Sequence, residues 1–331
     1  MVDINNLYAY IKYPMNQTNL PVVLIMHGWT GDVTSIKYLT SERIAKLGVF
    51  VLVCGMRGRN SATGANDASA REIHDLYDAV QYVKINYASI IDADKIAIVG
   101  YSGGGGNTLA AVSKFPDLFN VGVSFFGMSD YGKDATHGWY ANNGGTYTAS
   151  IVTAVGDTPA TVPNNYFARD ATVAIQNFSG GYLYLYHDEA DVTVPYVHST
   201  RIKTALDNAS LSNYSYNVST ALDALRWTHG YPEDNAALIT TEATWIAKIK
   251  AQSAWTIPTS GTVTVIGYIV TKRFTIWLNS GLDAAATVVY NTATDTYTVT
   301  PLTTGDVTVV ITQGAKTATA TISAETEMVA T

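Results

Sequence analysis

The chain has 331 residues, of which 47% are hydrophobic and 14% charged, and its formal net charge is −7 at pH 7. This length allows a large buried core and predicts one large domain with one smaller domain. Lys and Arg form no cluster, so the composition excludes a nucleic-acid-binding surface.

The single cysteine, Cys54, lies in an apolar run at residues 49–54. An internal disulfide is therefore impossible, and we expect a buried thiol. Residues 1–6 carry no basic flank, and the first apolar run, at 22–26, is too short for a signal peptide or a membrane span. A complete gene product would be cytoplasmic or virion-associated, whereas a protein with a trimmed leader would be extracellular.

The N-terminal part of the chain alternates apolar runs with amphipathic segments. Continuous apolar runs at 22–26 and 49–54 are typical of strands buried on both faces in a parallel sheet. Apolar residues at helical spacing predict helices at 34–47 and 70–87. Strands that alternate with helices of this length indicate βαβ units in a doubly wound, mostly parallel α/β sheet.

The stretch at 95–107 carries the strongest functional signal. Its apolar run ends at the motif Gly100-Tyr-Ser102-Gly-Gly104, and a helical apolar run follows at 108–112. The two flanking glycines allow a strand to double back into a helix, which leaves the Ser102 hydroxyl exposed. We therefore predict a nucleophile elbow. The alternatives are a βα turn used only for packing and a phosphate-binding loop, which the absence of Gly-Lys-Ser/Thr disfavours.

The βα rhythm continues with predicted strands at 121–126, 182–186 and 214–218 and predicted helices at 194–208 and 235–252. Residues 128–177 form an irregular insertion that is rich in Gly, Asn, Thr and aromatic residues. At the carboxyl end of a parallel strand, such an insertion is expected to form a lid or one wall of the substrate pocket, although a surface insertion without a catalytic role is the alternative. Tyr101, Trp139 and Tyr140 are the candidate substrate-binding residues.

The composition changes after about residue 253, where the chain becomes dense in Thr and Val with polar alternation. Period-two patterning over several short strands predicts a small β-sandwich with its own core and few contacts that the first domain needs for catalysis. We therefore divide the chain into a catalytic domain at 1–254 and an all-β domain at 255–331, with the boundary near residues 253–260.

A serine nucleophile needs a base within hydrogen-bond reach and an acid that orients the base. Asp191 is the predicted acid because it lies on a loop between a strand and a helix, where it can point back to the sheet. Asp188 and Glu189 are the reserves. His229, on the loop between the last strand and the closing helix, is the predicted base, which gives the chain order Ser, Asp, His.

Five other histidines remain, of which His27 is considered with the oxyanion hole below. His74 and His198 lie on predicted helices and His137 lies in the insertion, where surface positions are expected. A metal site built on His187, His198 and the acidic cluster is the weaker alternative. We therefore expect no metal ion and no cofactor.

The oxyanion of a tetrahedral intermediate requires preorganised N–H groups. Gly103, directly after the nucleophile, is expected to supply one, and Trp29, on the loop after the first buried strand, the other. His27 is expected to hold that loop. Arg57 and Arg59 are expected to pin their own loop to neighbouring carbonyls rather than to bind substrate.

Residues 20–250 resemble the α/β-hydrolases, nearest to the branch of dienelactone hydrolases, acetylxylan esterases and prolyl-oligopeptidase-like enzymes. The resemblance is carried by His-Gly-Trp at 27–29, Arg-Gly-Arg at 57–59, Gly-Tyr-Ser-Gly-Gly at 100–104, Phe-Pro-Asp-Leu-Phe at 115–119, Asp-Val-Thr-Val-Pro at 191–195 and His-Gly at 229–230. It implies a triad of Ser102, Asp191 and His229, with an oxyanion hole completed by Trp29 and Gly103.

The tail from about residue 256 is similar to bacterial Ig-like modules in its stretches at 297–301 and 304–312. Such modules occur on cell-surface and virion proteins, where they bind carbohydrate or act as spacers. The similarity implies that the tail attaches the protein to a surface or a virion.

These observations predict a serine hydrolase that cleaves acyl or acetyl carboxylic esters through an acyl-enzyme, with polysaccharide esters among its substrates. The alternatives are a serine peptidase of the prolyl-oligopeptidase type and an inactive protein that binds carbohydrate or a surface. The pair Arg169-Asp170 stands where many relatives have Arg-Ser-Pro, which leaves one wall of the pocket unassigned.

Overall fold

A computed structural model describes residues 2–4, 7–36, 38–58 and 63–331 of the chain. The strands of the first sheet are β1 (Val2–Ile4), β2 (Leu7–Lys12), β3 (Leu20–Met26), β4 (Phe50–Cys54), β5 (Ile91–Tyr101), β6 (Val121–Phe125), β7 (Tyr182–Asp188) and β8 (Tyr214–Ser219). The helices are α1 (Tyr38–Lys46), α2 (Glu72–Asn86), α3 (Gly103–Lys114), α4 (Trp139–Asn142), α5 (Thr148–Val155), α6 (Pro163–Phe167), α7 (Val197–Asn208), α8 (Ala236–Thr240) and α9 (Glu242–Ala251).

The tail contains the strands β9 (Ser260–Ile266), β10 (Tyr268–Val270), β11 (Thr275–Leu278), β12 (Ala285–Asn291), β13 (Thr296–Pro301), β14 (Val307–Gln313), β15 (Lys316–Ile322) and β16 (Thr326–Val329). Short 3-10 turns occur at Val33–Ser35, Ala171–Val173 and Ile175–Asn177.

The first sheet has the strand order β1-β2-β4-β3-β5-β6-β7-β8. Strands β3 to β8 pair in parallel, whereas β1 and β2 add antiparallel pairs at one edge. Because parallel strands end at the same edge of a sheet, the loops after β3, β5, β7 and β8 meet there. The predicted α/β-hydrolase class is confirmed.

Helices cover both faces of this sheet. On one face α2, α3 and α7 bury residues such as Leu76 and Leu109, and on the other α1, α8 and α9 bury residues such as Ile44 and Trp245. Every residue of β3 and β4 is buried, as their continuous apolar runs predicted. In the part of the chain that the structure describes, no helix combines the length and the apolar character needed to cross a bilayer.

Two predicted helices have different limits in the structure. The segment at 235–252 forms α8 and α9, which are separated at Thr241, where the hydroxyl donates a hydrogen bond of 2.8 Å to the carbonyl of Leu238 and competes with the helical ladder. The segment at 194–208 becomes helical only at Val197, because Val194 precedes a proline and its carbonyl accepts a side-chain hydrogen bond.

Strands β9 to β16 form a second sheet in which all pairs are antiparallel, in the order β15-β14-β11-β10-β9-β12-β13-β16. The sheet folds over on itself around one apolar core, and its two outer strands meet where the N–H of Thr317 donates to the carbonyl of Thr331 over 3.2 Å. The predicted all-β tail is confirmed. The boundary predicted near residues 253–260 falls in a segment, 252–259, that forms neither helix nor strand.

The tail packs directly against the first domain. Tyr268 of β10 is fully buried in the catalytic domain's core, with its ring 5.9 Å from that of Phe115 and its hydroxyl 3.2 Å from the carbonyl of Ala70. Asp117 accepts the N–H of Ile257 over 3.1 Å. Strand periodicity shows which face of a strand is apolar but not what covers that face, so this contact was invisible in the sequence.

Lys114, at the end of α3, lies fully buried in this interface. Its ammonium donates to the carbonyl of Ile266 and lies 4.6 Å from the ring centroid of Tyr268. Burial, together with the positive charge of Arg169, lowers the pKa of Lys114 to about 7. Because a lysine in the unfolded chain keeps its proton up to about pH 10, the unfolded state binds more protons between about pH 7 and pH 10, and stability rises with pH across that window.

We expect the free energy of unfolding to rise between about pH 7 and about pH 9, and Lys114→Met to flatten this rise because methionine has no proton to lose. Urea unfolding of the full chain at both pH values measures the effect. Lys46→Met is the matched control, since the side chain of Lys46 is 74% exposed, and should keep the wild-type slope. A wild-type slope in Lys114→Met would contradict the assignment.

Candidate active site

Ser102 lies at the sharp turn between β5 and α3. Its backbone has φ 56° and ψ −118°, a sparsely populated conformation for a residue with a side chain. A Cβ atom at Gly100 would lie 1.9 Å from the carbonyl oxygen of Gly104, and one at Gly104 would lie 2.5 Å from that of Met26. Only glycine fits these two positions, so the turn holds the Ser102 side chain at the carboxyl edge of the sheet.

A chain of hydrogen bonds connects three of the predicted residues. The Oγ of Ser102 lies 2.9 Å from the Nε2 of His229, and the Nδ1 of His229 lies 2.8 Å from the Oδ2 of Asp191. Because a carboxylate only accepts, Nδ1 carries the proton, and Nε2 of the neutral ring is free to accept the serine proton. This is the geometry of a nucleophile, a base and an orienting acid.

The carboxylate of Asp191 is almost fully buried, with 1% of its side chain exposed. Its Oδ1 accepts the backbone N–H groups of Thr193 and Val194 over 2.9 and 3.0 Å. Burial alone would raise the pKa of Asp191, but hydrogen bonds from His187 and His229 outweigh it and hold this pKa well below its usual range. Asp191 is therefore ionised at every pH at which a neutral histidine could act as a base.

The two reserve acids lie elsewhere. Asp188 pairs with Arg226 and accepts the hydroxyl of Ser219 over 2.7 Å. Glu189 is exposed and accepts the N–H of Ala221 over 3.3 Å. Neither carboxylate is hydrogen-bonded to His229, and both tie the Asp191 loop to the segment that leads to His229.

One of the remaining histidines, His198, does not lie where the sequence predicts. His74 and His137 face the carboxylates of Asp78 and Asp134, as partly exposed side chains do. His198 was expected at the surface but is fully buried, because the insertion packs on α7 and the N–H of Ser129 donates to its Nδ1 over 3.2 Å. Burial lowers the pKa of His198 to about 3, so its ring stays neutral. Within the described ranges, no cluster of three or more His, Cys, Asp or Glu side chains is arranged to hold a metal ion.

Two backbone N–H groups lie beside the serine. A Cβ atom at Gly103 would lie 2.4 Å from the backbone nitrogen of Trp29, so the two residues are in direct contact. Neither N–H donates a hydrogen bond to any residue that the structure describes. The Trp29 loop is held by the hydroxyl of Tyr231, which accepts the N–H of Gly28 over 2.8 Å. His27 is buried at the start of the loop, with Nδ1 2.9 Å from the carbonyl of Gly28.

A cavity of about 280 Å³ opens in front of Ser102 and His229. Its walls include the aromatic residues Trp29, Tyr147 and Tyr231, together with small polar residues of the 28–35 loop. Among the described residues, no Asp, Glu, Lys or Arg lines it. The cavity therefore suits a small uncharged group.

The three predicted substrate-binding residues take different places. Tyr101 contributes to the cavity, but its ring is buried in the core and stacks on Phe125 at 5.0 Å. Trp139 is fully buried behind the cavity, packed edge-on against Trp29 at 5.2 Å, so it supports the wall without reaching a substrate. Tyr140 points away and lines a second cavity between the insertion and the tail.

The sequence reasoning missed Tyr147 and Tyr231. Tyr231 could have been found, since it follows His229 by two residues in the same motif. Tyr147 is one of several aromatic residues in an insertion without periodicity, and only the folded insertion shows that its ring stacks on Trp139 at 4.9 Å and faces the cavity.

Two of the basic residues noted in the sequence, Arg57 and Arg169, have structural partners. The guanidinium of Arg57 pairs with the carboxylate of Asp75 on α2, rather than with carbonyls, with Nε 2.9 Å from Oδ2. Arg59 lies outside the described residues. Arg169 is buried and donates to the carbonyls of Asp67 and Leu282 over 2.8 and 2.6 Å, which ties the insertion to the tail.

We expect Asp191→Asn to lower kcat on p-nitrophenyl acetate by about 10⁴, because an amide nitrogen cannot accept the Nδ1 proton of His229 and the ring then adopts the wrong tautomer. Asp188→Asn should cost about tenfold or less, since Asp188 acts only on the loop that carries His229. Steady-state kinetics on variants checked for folding by circular dichroism measure both. A larger loss in Asp188→Asn or Glu189→Gln would show that another carboxylate is the acid.

Comparison with known proteins places the chain in a family. Residues 35–250 match the prolyl oligopeptidase family. A cutinase of Thermobifida alba is 34% identical over 112 residues, which is 33% of this chain and 35% of the cutinase. Acylamino-acid-releasing enzyme 2 of Oryza sativa subsp. japonica is 29% identical over 118 residues, which is 15% of that enzyme. The matched segment thus spans well under half of these relatives.

Solved structures show the same fold. A puromycin-hydrolysing peptidase of Mycobacterium tuberculosis superposes with a TM-score of 0.59 at 21% identity, covering 77% of this chain and 39% of that one. A truncated carbohydrate esterase from gut microbiota superposes with a TM-score of 0.55 at 18% identity, covering 74% of this chain and 91% of that one. The family match covers well over half of the chain, and the chain therefore belongs to the prolyl oligopeptidase family, with the α/β-hydrolase fold.

Proposed function

We propose that the protein is a serine hydrolase that cleaves carboxylic esters through an acyl-enzyme on Ser102. The observation that carries the proposal is the continuous hydrogen-bond chain from Ser102 Oγ through His229 to Asp191, with separations of 2.9 and 2.8 Å. The three groups come from three different loops at one edge of the sheet. A packing role for the Gly-rich turn does not account for this convergence.

In acylation, Nε2 of His229 takes the Ser102 proton while Oγ attacks the ester carbonyl carbon. The carbonyl oxygen gains the negative charge, and the N–H groups of Trp29 and Gly103 are the donors proposed to receive it. Asp191 keeps Nδ1 of His229 protonated and stabilises the imidazolium that forms. The imidazolium then gives its Nε2 proton to the departing alkoxide, which leaves as the alcohol.

Deacylation repeats these steps with water in place of the serine. His229 takes a proton from a water molecule, the resulting hydroxide attacks the acyl carbon, and the same two N–H groups hold the second oxyanion. Collapse of this intermediate returns the proton to Ser102 and releases the carboxylic acid. Ser102, His229 and one water molecule account for every proton that is transferred.

Two observations favour esters, and the second of them favours small acyl groups. Similar proteins are named cutinases, and a solved structure with this fold is named a carbohydrate esterase. The cavity of about 280 Å³ lies at the lower end of the range for ligand pockets. Its described walls carry no carboxylate that could pair with the ammonium of a peptide N-terminus. An acetyl or other short acyl group fits these walls.

A serine peptidase is the second candidate. The family match and the similarity to acylamino-acid-releasing enzyme 2 favour it, and an acylated N-terminus would not need a carboxylate partner. A third candidate, an inactive carbohydrate- or surface-binding protein, predicts no turnover on any substrate.

A substrate panel separates the three candidates. We expect p-nitrophenyl acetate and butyrate to be hydrolysed with a kcat/KM at least about 10² above that for acyl-aminoacyl p-nitroanilides, and Ser102→Ala to lower kcat by about 10⁶. A fluorophosphonate probe should label Ser102 in the wild type and nothing in Ser102→Ala. A preference for the anilides would favour the peptidase, and the absence of both turnover and labelling would favour the binding protein.

For a polymeric substrate we propose a second contact between the insertion and the tail. A cavity of about 620 Å³ lies there, lined by Tyr140, Phe167 and Leu302 among other residues. Lys133 lies 4.6 Å above the ring of Phe167, and the amide of Asn164 bonds the carbonyl of Thr304 over 2.8 Å to join the two walls. Aromatic and proline faces with amide and hydroxyl groups at the rim suit the apolar faces and hydroxyls of a sugar chain.

Tyr140→Ala and Phe167→Ala should therefore lower activity on an acetylated polysaccharide by about tenfold while activity on p-nitrophenyl acetate stays within about threefold, because the second contact raises the local concentration of the polymer. Tyr8→Ala, at a ring 41% exposed on β2, is the control and should affect neither substrate. Equal effects on both substrates would assign the tail the role of a spacer or of an attachment domain for a surface or virion.

A further inference from the structure

A second imidazole lies next to the acid of the proposed triad. His187, the penultimate residue of β7, is fully buried. Its Nε2 lies 2.7 Å from the carbonyl oxygen of Val194 and 3.5 Å from the Oδ2 of Asp191, and its Nδ1 lies 2.7 Å from the Oγ of Ser199 on α7. The mechanism described above gives this ring no role.

The partners of His187 determine which nitrogen of the neutral ring carries the proton. A carbonyl oxygen only accepts, so Nε2 must carry a proton, and in the neutral ring Nδ1 then accepts the hydroxyl proton of Ser199. The N–H that bonds Val194 also faces Oδ2 of Asp191, which is the oxygen that accepts the Nδ1 proton of His229. The carboxylate oxygen therefore lies between two imidazole N–H groups, one on the buried side and one on the side of the active site.

The loop that carries Asp191 is held by a closed set of bonds. Asp191 Oδ1 accepts the N–H groups of Thr193 and Val194, and the carbonyl of Val194 accepts the proton of His187. Ser199 in turn holds the far side of the His187 ring against α7. The ring thus fixes the Asp191 loop between the end of β7 and the start of α7.

We propose that His187 is a positioning residue for the triad acid: it holds the Asp191 loop and supplies a second N–H to the carboxylate, so that Oδ2 stays aligned with His229. This inference rests on the proposed triad. Outer partners of this kind fix the orientation of a reacting group, and their loss typically costs about 10- to 100-fold in activity.

The other charged and titratable groups that the structure describes around Asp191 have partners of their own. Asp188, at the end of β7, binds Arg226, and Arg201 on α7 binds Asp130. His198 on α7 stays neutral and bonds the N–H of Ser129. Among the described residues, His229 and His187 are thus the side chains that direct a ring nitrogen at this carboxylate, at 2.8 and 3.5 Å.

The test compares two amide variants of His187. In His187→Gln the side-chain amide nitrogen would reach as far as Nε2 and keep a donor toward Val194 and Asp191, whereas in His187→Asn it would reach only as far as Nδ1. We expect His187→Asn to lower kcat per active site by about 10- to 100-fold with KM within about threefold, and His187→Gln to stay within about fivefold of the wild type. Fluorophosphonate titration counts the active sites, so misfolded protein does not affect the value of kcat per active site.

The pH profile provides a readout that a packing role would not move. A carboxylate that is poorly aligned stabilises the imidazolium of His229 less, so the acid limb of kcat/KM in His187→Asn should move to lower pH by about half a unit. His198→Asn, at an equally buried ring that does not bond Asp191, is the matched control and should leave the acid limb in place.

Equal losses in His187→Asn and His187→Gln, or an acid limb that moves no more than in His198→Asn, would overturn the role of His187. If both His187 variants fail to fold, Ser199→Ala replaces them: releasing the ring should lower kcat by about threefold or more and move the acid limb in the same direction, and wild-type behaviour would refute the inference. A wild-type protein that neither turns over esters nor reacts with fluorophosphonate would instead refute the proposed function.

Discussion

The arrangement of the site depends on the close approach of three backbone segments at the end of β5. A Cβ atom at Gly100 would overlap the first turn of α3, and one at Gly103 would overlap the backbone of Trp29. This approach forces Ser102 into a conformation that costs of order 1–3 kcal/mol and persists only where the surroundings fix it. The same approach brings the backbone nitrogen of Trp29 next to Gly103, so the proposed nucleophile and the proposed oxyanion donors depend on one constraint.

The parallel sheet completes the site. Because β5, β7 and β8 end at one edge, loops far apart in sequence deliver Ser102, Asp191 and His229 to one place. Hydrogen bonds through His187 attach the Asp191 loop to β7 and α7, and the ion pair of Asp188 with Arg226 attaches it to the segment before His229. These contacts fix the positions of two of the three loops relative to each other. Precision therefore comes from the loops' bonds to rigid elements rather than from the loops themselves.

Much of the fold and of the candidate site could be predicted from the sequence, and the predictions that failed did so for physical reasons. The buried strands and the Gly-rich turn are encoded locally, by apolar runs and by residues without a Cβ. The burial of His198, the wall formed by Tyr147 and the insertion of Tyr268 into the catalytic domain's core depend on which surface covers which, and periodicity does not contain that information. The position of Trp139 behind Trp29 could not be predicted for the same reason. Composition indicates an aromatic wall but not which aromatic residue faces the cavity and which lies behind it.

The central claim is that Ser102 carries the acyl group between two steps assisted by His229. Rapid acid quench of the enzyme with p-nitrophenyl acetate, followed by peptide mass spectrometry, tests it most directly. The account predicts one acetyl group on the peptide that contains Ser102, formed in a burst stoichiometric with the enzyme. Turnover with the acetyl group on another residue would contradict it. So would a single-turnover experiment in which acetate is released without prior formation of an acyl-enzyme.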